Sequence, residues 1–129
     1  MRPRKFHYEE THYFGRSYLI DWDPMIGLGL QDSSSCIPFI VEPSTVLNPS
    51  DSDWKSFKIS IEGLALEPRE PEVPVCDGFD VQCHITFRTR LLKFSIVNPD
   101  FEGFNEFRDL LNQFTVCSDY PDGVFEVDR

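Results

Sequence analysis

The clearest pattern in the chain is a strict alternation of apolar and polar residues between Phe79 and Arg88. Successive side chains of a β-strand point to opposite faces of a sheet, so this alternation predicts a strand with one buried face. A second alternating run, from Leu92 to Ile96, predicts another strand. The two runs are close in sequence and no helical pattern separates them, which favours antiparallel pairing.

Strands are also predicted in the first half of the chain. Residues 5–14 and 17–22 are rich in aromatic and apolar side chains, and we expect them to form a hairpin around Gly15. Residues 57–62 alternate strictly, and the alternation resumes one step out of phase after Gly63. This shift predicts a strand over 57–62 that is followed by a β-bulge at the glycine.

One helix is predicted near the C-terminal end. Asn98 is a suitable N-cap residue, Pro99 fits the first turn, and acidic residues follow where the helix dipole favours them. An apolar stripe then recurs at spacings of three and four, at Phe101, Phe104, Phe107 or Leu111, and Phe114. We expect the helix to end near residues 113–115 and to pack this stripe on the sheet as part of the core.

Short strands and loops complete the predicted organisation. Apolar runs at 37–41 and 124–127 are predicted as short strands, the first at a sheet edge because Pro38 cannot donate to a ladder. Residues 42–53 and 67–78 are rich in proline and polar residues, and we predict both as loops.

Together these elements predict a single α+β domain over residues 1–129, with a basic N-terminal tail at 1–5. Its sheet is predicted to be mainly antiparallel, with five to seven strands and one C-terminal amphipathic helix packed on one face. The chain length suits one hydrophobic core and not two. With 40% hydrophobic and 14% aromatic residues, including 12 Phe, the composition supports a packed core and excludes a disordered acidic tail.

Neither a membrane span nor a signal peptide is expected. No apolar run approaches the roughly 18 residues that a transmembrane helix requires. The basic start of the chain is followed by Phe6–Glu10, which is too polar for the apolar region of a signal peptide. We therefore expect a soluble protein located in the cytoplasm, with no contact to a membrane.

The charge of the chain is strongly and unevenly negative. Twelve Lys and Arg against 22 Asp and Glu give a formal charge of −10, which argues against direct binding of nucleic acid. Residues 98–128 contain eight acidic residues and one arginine, and residues 62–80 contain six acidic residues and one arginine. The only basic cluster in the interior of the sequence is Arg88, Arg90 and Lys93.

Motifs that would carry catalytic chemistry are not found. The four cysteines, Cys36, Cys76, Cys83 and Cys117, lack the spacing of a zinc site and are predicted to be reduced, with Cys83 on a buried strand face. Two pairs of aspartates, at 21/23 and 51/53, are best explained as turn residues and not as cation ligands. We therefore predict no catalytic residue, no metal and no cofactor, although a Cys–His pair that meets only in space stays open.

The favoured hypothesis is a non-catalytic acidic domain that binds and neutralises a basic protein, such as an immunity or inhibitor protein against a toxin or nuclease. A field of carboxylates steers a basic partner into contact and raises the association rate. The profile is similar to that of toxin-immunity proteins and of phage inhibitors that mimic nucleic acid, in size, acidity and absent catalytic motifs, and it indicates no family. The predicted partner-binding residues are Asp100, Glu102, Glu106, Asp109, Asp119, Tyr120, Asp122, Glu67, Glu70, Glu72 and Trp54.

Other interpretations of the sequence stay open. Acidity alone keeps small proteins in solution without any partner. A small-ligand or enzyme domain would need a pocket between the sheet and the Phe-rich helix, and a phage or viral accessory subunit would act by assembly. If a partner binds, Trp22 and Phe125 are further candidate anchors, because interface hot spots favour aromatic residues flanked by charge.

Overall fold

The computed structural model describes residues 2–33, 45–72 and 78–125. The elements are, in chain order, β1 (Lys5–His12), β2 (Ser17–Asp23), β3 (Gly27–Ser33), β4 (Thr45–Leu47), α1 (Asp51–Glu62), β5 (Phe79–Thr86), β6 (Arg90–Val97) and α2 (Phe104–Phe114). The strands form one sheet in the order β4-β3-β2-β1-β5-β6, with every neighbouring pair antiparallel. The fold is therefore of the mostly-sheet α+β class, with six strands as predicted, but with two helices in the described residues instead of one.

The core lies between the sheet and the two helices, and β1 is at its centre. Phe6 and Tyr8, two residues apart on β1, are completely buried. The ring of Phe6 lies 5.6 Å from that of Trp54 on α1 and 6.4 Å from that of Phe114 on α2, between centroids. Tyr8 contacts Phe107 of α2 at 5.7 Å. Aromatic residues from β1, α1 and α2 thus form the core that the composition predicted.

The strands predicted at 79–88 and 92–96, and the predicted N-terminal hairpin, are confirmed. β5 and β6 pair with Cys83 opposite Phe94 on the core side, and β1 and β2 form the predicted hairpin. β3 has no counterpart among the predictions, since Gly27 and Gly29 interrupt its apolar pattern. Of the two short predicted strands, 37–41 lies outside the described residues. In the other, residues 124 and 125 form a bend and not a strand, and 126–127 are again outside them.

The strand predicted at 57–62 is wrong, because these residues belong to α1. A capping box begins the helix: Ser50 Oγ accepts from the Asp53 N–H at 3.1 Å, and the Asp53 carboxylate accepts from the Ser50 N–H at 3.0 Å. Buried residues then follow at spacings of three and four, namely Trp54, Phe57 and Ile61. Gly63 is the C-cap of α1 and donates its N–H to the Ile59 carbonyl, so it is not a β-bulge.

The predicted start of the C-terminal helix is also wrong, since α2 begins at Phe104. Asn98 has a left-handed backbone, with φ of 48°, and its side chain accepts from the Phe79 N–H at 3.0 Å. Asn98 therefore closes the β5–β6 pair and does not cap a helix. The N-cap is Gly103, whose φ of 88° is open to glycine without strain. The helix ends at Phe114, as predicted.

The predicted loops and tail are only partly correct. β4 and the first turn of α1 fall inside the predicted loop 42–53. Residues 67–72 form neither helix nor strand, as predicted, and 73–77 lie outside the described residues. The N-terminal residues are not a free tail, because Arg4 donates its backbone N–H to the Thr86 carbonyl at 2.8 Å and the next residue is already in β1.

Candidate functional site

The acidic residues predicted to bind a partner are exposed, and α2 orders several of them. Glu106 and Asp109 lie three residues apart on the exposed side of the helix. Asp100 and Glu102 are exposed in the connection before α2, because this helix begins later in the chain than predicted. With a rise of about 1.5 Å per residue, Glu106 and Asp109 are about 4.5 Å apart along the axis of α2.

The segment 67–72 begins beside the same helix. Leu66 lies against Gly103, so close that a Cβ atom added at Gly103 would be 2.7 Å from Leu66 Cδ2. This packing brings Glu67, the next residue along the chain, towards the N-terminal end of α2. Glu70 and Glu72 are exposed, and no hydrogen bond or ion pair to the rest of the described chain fixes them there.

Further acidic residues follow the C-terminal end of α2. Asp119 is exposed and accepts a hydrogen bond from Thr45 Oγ1 of β4 at 2.9 Å. Tyr120 is half-buried, and its hydroxyl donates to Asp32 at 3.2 Å. We call the six exposed acidic residues of the segment 98–125 the acidic strip: Asp100, Glu102, Glu106, Asp109, Asp119 and Asp122.

The only basic residue of the segment 98–125 is withdrawn from this surface. Arg108 makes a two-bond ion pair with Glu10 of β1, with Nε 2.6 Å from Oε1 and Nη2 2.9 Å from Oε2. Its guanidinium also lies over the rings of Phe125 and Phe79, 4.9 Å and 5.7 Å from their centroids. Arg108 is thus half-buried and already paired, and the fully exposed charged residues of this segment are all acidic.

Glu10 is completely buried, and donors from two other residues complete its coordination. The Tyr8 hydroxyl donates to Oε1 at 2.6 Å, and His12 Nε2 lies 2.8 Å from Oε2. Burial alone would raise the pKa of Glu10, but the hydrogen bonds from His12, Arg108 and Tyr8, with the charge of Arg108, lower it. Burial and the neighbouring carboxylate raise the pKa of Tyr8, which keeps its hydroxyl protonated as a donor.

The residue types around Glu10 are those of an acid–base site, but their hydrogen bonds hold β1 and α2 together and leave no group free for catalysis. A carboxylate offers about four acceptor positions, and the protein's own donors occupy all of them on Glu10. No acceptor position is left to take a proton from a substrate. The network instead joins β1 to α2 across 98 positions of sequence. We therefore assign Glu10 and Arg108 a structural role.

Two of the predicted aromatic anchors are wrong, because they belong to the core. Trp54 has 0% of its surface exposed and Phe125 has 3%. The spacing of Trp54 to the buried residues Phe57 and Ile61 was the available signal for a helical core position. Trp22 is half-buried, with its ring 5.3 Å from that of Trp54.

Sequence reasoning missed a basic surface on the side of the sheet away from the helices. Lys5 of β1 lies in the same ladder row as Arg90 of β6, and Lys93 of β6 pairs with His84 of β5. These four residues, which we call the basic face, line a concave surface of about 610 Å³. The cluster at 88–93 was visible in the sequence, but its link to Lys5 depends on β1 and β5 pairing.

An ion-paired histidine borders this face. The ring of His7 lies 3.0 Å from Asp21 Oδ1 and 3.3 Å from Glu9 Oε2. The hydrogen bonds to Asp21 and Glu9 raise the pKa of His7 to about 9, against the opposing effect of burial. His7 is therefore a cation at neutral pH, with its charge balanced by its own carboxylate partners.

The described cysteines and carboxylates do not assemble a reactive or metal-binding group. Cys83 is buried and free, as predicted, and burial raises the pKa of its thiol. Cys117 is also free, while Cys36 and Cys76 lie outside the described residues. In the part of the chain that the structure describes, no group of three or more His, Cys, Asp or Glu is placed to hold a metal ion.

Comparisons with known proteins add no identification. The chain matches no protein-family model, and no curated protein or solved structure is significantly similar to it. Among the described residues, no helix is long and apolar enough to span a membrane. The function is therefore argued from the geometry of the acidic strip and the basic face.

Proposed function

We propose that the chain is a non-catalytic binding domain that neutralises a basic protein partner, as an immunity or inhibitor protein does with a toxin or nuclease. The observation that carries the proposal is the inward placement of Arg108. Its pairing with the buried Glu10 leaves the acidic strip without a compensating exposed cation in its own segment. A surface of one sign is the arrangement that attracts a basic protein over a distance.

The separation of charge across the fold supports the same proposal. The acidic strip belongs to the segment that contains α2, whereas the basic face is on the other side of the sheet. Charges beyond about 8 to 10 Å are largely screened at physiological salt, so each surface acts locally. A basic partner approaching α2 therefore meets carboxylates without strong repulsion from Arg90 and Lys93.

A groove on the helix side of the fold offers a partner both apolar and polar side chains. It lies between α1, α2 and β4, has a volume of about 450 Å³, and is lined by Leu110, Phe114 and Val116 among others. Val116 is 51% exposed. Polar side chains, among them Asn48, Ser56 and Gln113, share this lining, so the groove offers a partner hydrogen-bonding groups as well as apolar contact. It replaces the buried Trp54 as the expected anchor point.

The alternative pocket between the sheet and the Phe-rich helix is filled by side chains. Phe107 is fully buried against Tyr8, and Phe104 is in ring contact with Phe94 and Phe101. The phenylalanine stripe is therefore core, as the sequence indicated.

The test begins with capture of a partner from a lysate of the source organism, followed by purification of the captured protein. We expect a basic protein that binds wild-type chain and fails to bind Glu106→Gln/Asp109→Asn, which removes two charges from the acidic strip. Glu70→Gln/Glu72→Gln removes two charges from the other predicted acidic patch, the segment 67–72, and should weaken binding less than the α2 variant, because no helix orders these side chains. Wild-type binding by Glu106→Gln/Asp109→Asn would contradict a role for α2, and a captured partner of acidic or neutral charge would overturn the proposed function.

A further inference from the structure

Half of the basic residues of this acidic chain gather at one end of the sheet. The twelve Lys and Arg include three in the first five residues and three between 88 and 93. Pairing of Lys5 with Thr86, and of Thr86 with Arg90, brings these two groups together across β1, β5 and β6.

The register fixes how the cations are arranged. His7, His84 and Lys93 form one row across the three strands, and Lys5, Thr86 and Arg90 form the next. Neighbouring strands lie about 4.8 Å apart, so the long side chains of Lys5, Arg90 and Lys93 can reach a common point above His84. Charge-assisted donors that converge in this way are the usual components of a site for a phosphate or carboxylate group.

Carboxylates are absent from the lining of this concave surface in the described structure. The remaining lining residues include Gln82 and Ser95, which offer further hydrogen-bonding groups. Desolvation and the charges of Lys5, Lys93, Arg90 and His7 all lower the pKa of His84. His7 is balanced by Asp21 and Glu9, whereas Lys5, Arg90 and Lys93 have no carboxylate partner among the described residues, so an external anion can balance their charge.

The volume of this concave surface and the net charge of the chain favour a small anion over a nucleic acid as the ligand. A volume of about 610 Å³ lies within the range of about 300 to 1,000 Å³ that is typical of small-molecule sites. A nucleic acid would extend beyond the basic face onto a protein with a charge of −10, where its phosphates are repelled. A small anion stays within one screening length, about 8 to 10 Å, and interacts only with the local cations.

We propose that the basic face, formed by Lys5, His84, Arg90 and Lys93, binds a small ligand that carries two or more phosphate groups. The three Lys and Arg side chains hold the phosphate oxygens, with Arg90 suited to two parallel hydrogen bonds. β6 is an edge strand of the described sheet, and a lysine on an edge strand can prevent other chains from pairing with it. This role could account for Lys93 but not for Lys5, because β1 lies inside the sheet. This site is separate from the acidic strip.

Calorimetric titration of the full chain with inorganic pyrophosphate at physiological ionic strength tests the proposal. We expect saturable binding to wild type and a loss of at least about tenfold in affinity in Arg90→Gln/Lys93→Gln. The matched control Lys55→Gln/Arg69→Gln removes the same charges from exposed positions elsewhere and should bind within about twofold of wild type. Lys5→Gln gives a second test from a different strand, and circular dichroism verifies that each variant is folded.

Several outcomes would overturn this proposal. These are absence of saturable pyrophosphate binding to wild type, or an equal loss of affinity in both double variants. Equal affinity for citrate would contradict the choice of phosphate over carboxylate. Binding to vesicles of anionic lipid without binding of pyrophosphate would identify a membrane surface as the ligand instead. Glu106→Gln/Asp109→Asn should bind pyrophosphate like wild type, so failure here and failure of the proposed function are distinguishable.

Discussion

Replacement of Arg108 by methionine would leave a buried carboxylate without its main partner. Glu10 has 0% exposure and would lose both hydrogen bonds to the guanidinium, at 2.6 and 2.9 Å. Removal of one partner of a buried ion pair costs about 3 to 5 kcal/mol. A domain of this kind has a total unfolding free energy of about 5 to 15 kcal/mol, so Arg108→Met should lose a large part of its stability.

Substitution of the other partner, Glu10, should reduce the unfolding free energy by less. Glu10→Gln keeps an oxygen that accepts hydrogen bonds and leaves the charge on Arg108, whose side chain is 22% exposed and can be partly solvated. We therefore expect Glu10→Gln to lose about 1 to 3 kcal/mol, less than Arg108→Met. Urea unfolding followed by tryptophan fluorescence measures both, and Arg69→Met at an exposed position is the matched control for loss of an arginine.

The pH dependence of Arg108→Met separates a charge effect from a packing effect. In wild type the lowered pKa of Glu10 contributes stability above the ordinary carboxyl pKa of about 4, and this contribution is lost as the pH falls through the folded value. In the variant, Glu10 is expected to become protonated more readily, so the difference from wild type should shrink at acid pH. A loss below about 0.5 kcal/mol, or a loss independent of pH, would refute the assignment of Glu10 and Arg108 as a buried ion pair.

Three further predictions concern local features. The raised pKa of His7, about 9, contributes stability below pH 6.5 that should be lost as the pH rises towards 9. Asp21→Asn should flatten this part of a plot of unfolding free energy against pH, and an unchanged plot would contradict the pairing. Gly103→Ala should destabilise by about 1 to 2 kcal/mol because φ is 88°, with the flexible end of Leu66 moving aside; unchanged urea unfolding would show another N-cap conformation. Ser50→Ala should cost about 1 kcal/mol by loss of the capping box, measured in the same way, and no loss would question the start of α1.

The parts of the fold predicted from sequence are those with a strong local pattern. Alternation over Phe79–Thr86 and the apolar stripe of α2 each bury one face, and each pattern corresponds to its element. The error at α1 arose because 57–62 fit both periodicities. The apolar residue Ile59 fits only the strand pattern, and the structure leaves it 58% exposed, whereas Trp54 fits the helical pattern and is buried.

The candidate sites depend on contacts between residues that are far apart in the sequence, and local patterns in a single sequence do not predict such contacts. Arg108 reads as an ordinary charge on the outer face of a helix until Glu10, 98 positions away, is placed beneath it. Lys5 and Arg90 are similarly remote, and only the order of β1, β5 and β6 in the sheet makes them neighbours. The acidic composition was evident from the sequence, but the pairing of Arg108, the only basic residue of 98–125, with the buried Glu10 was not.

The dependence of the association rate on ionic strength, measured with the purified basic partner, tests the central claim most directly. For wild type we expect the rate to fall steeply as salt is added, because carboxylates of the acidic strip steer the encounter. Glu106→Gln/Asp109→Asn should associate more slowly and with a weaker salt dependence, while Glu70→Gln/Glu72→Gln, in the segment 67–72, should show a smaller change in the same direction. The same rate and the same salt dependence for all three proteins would contradict the account.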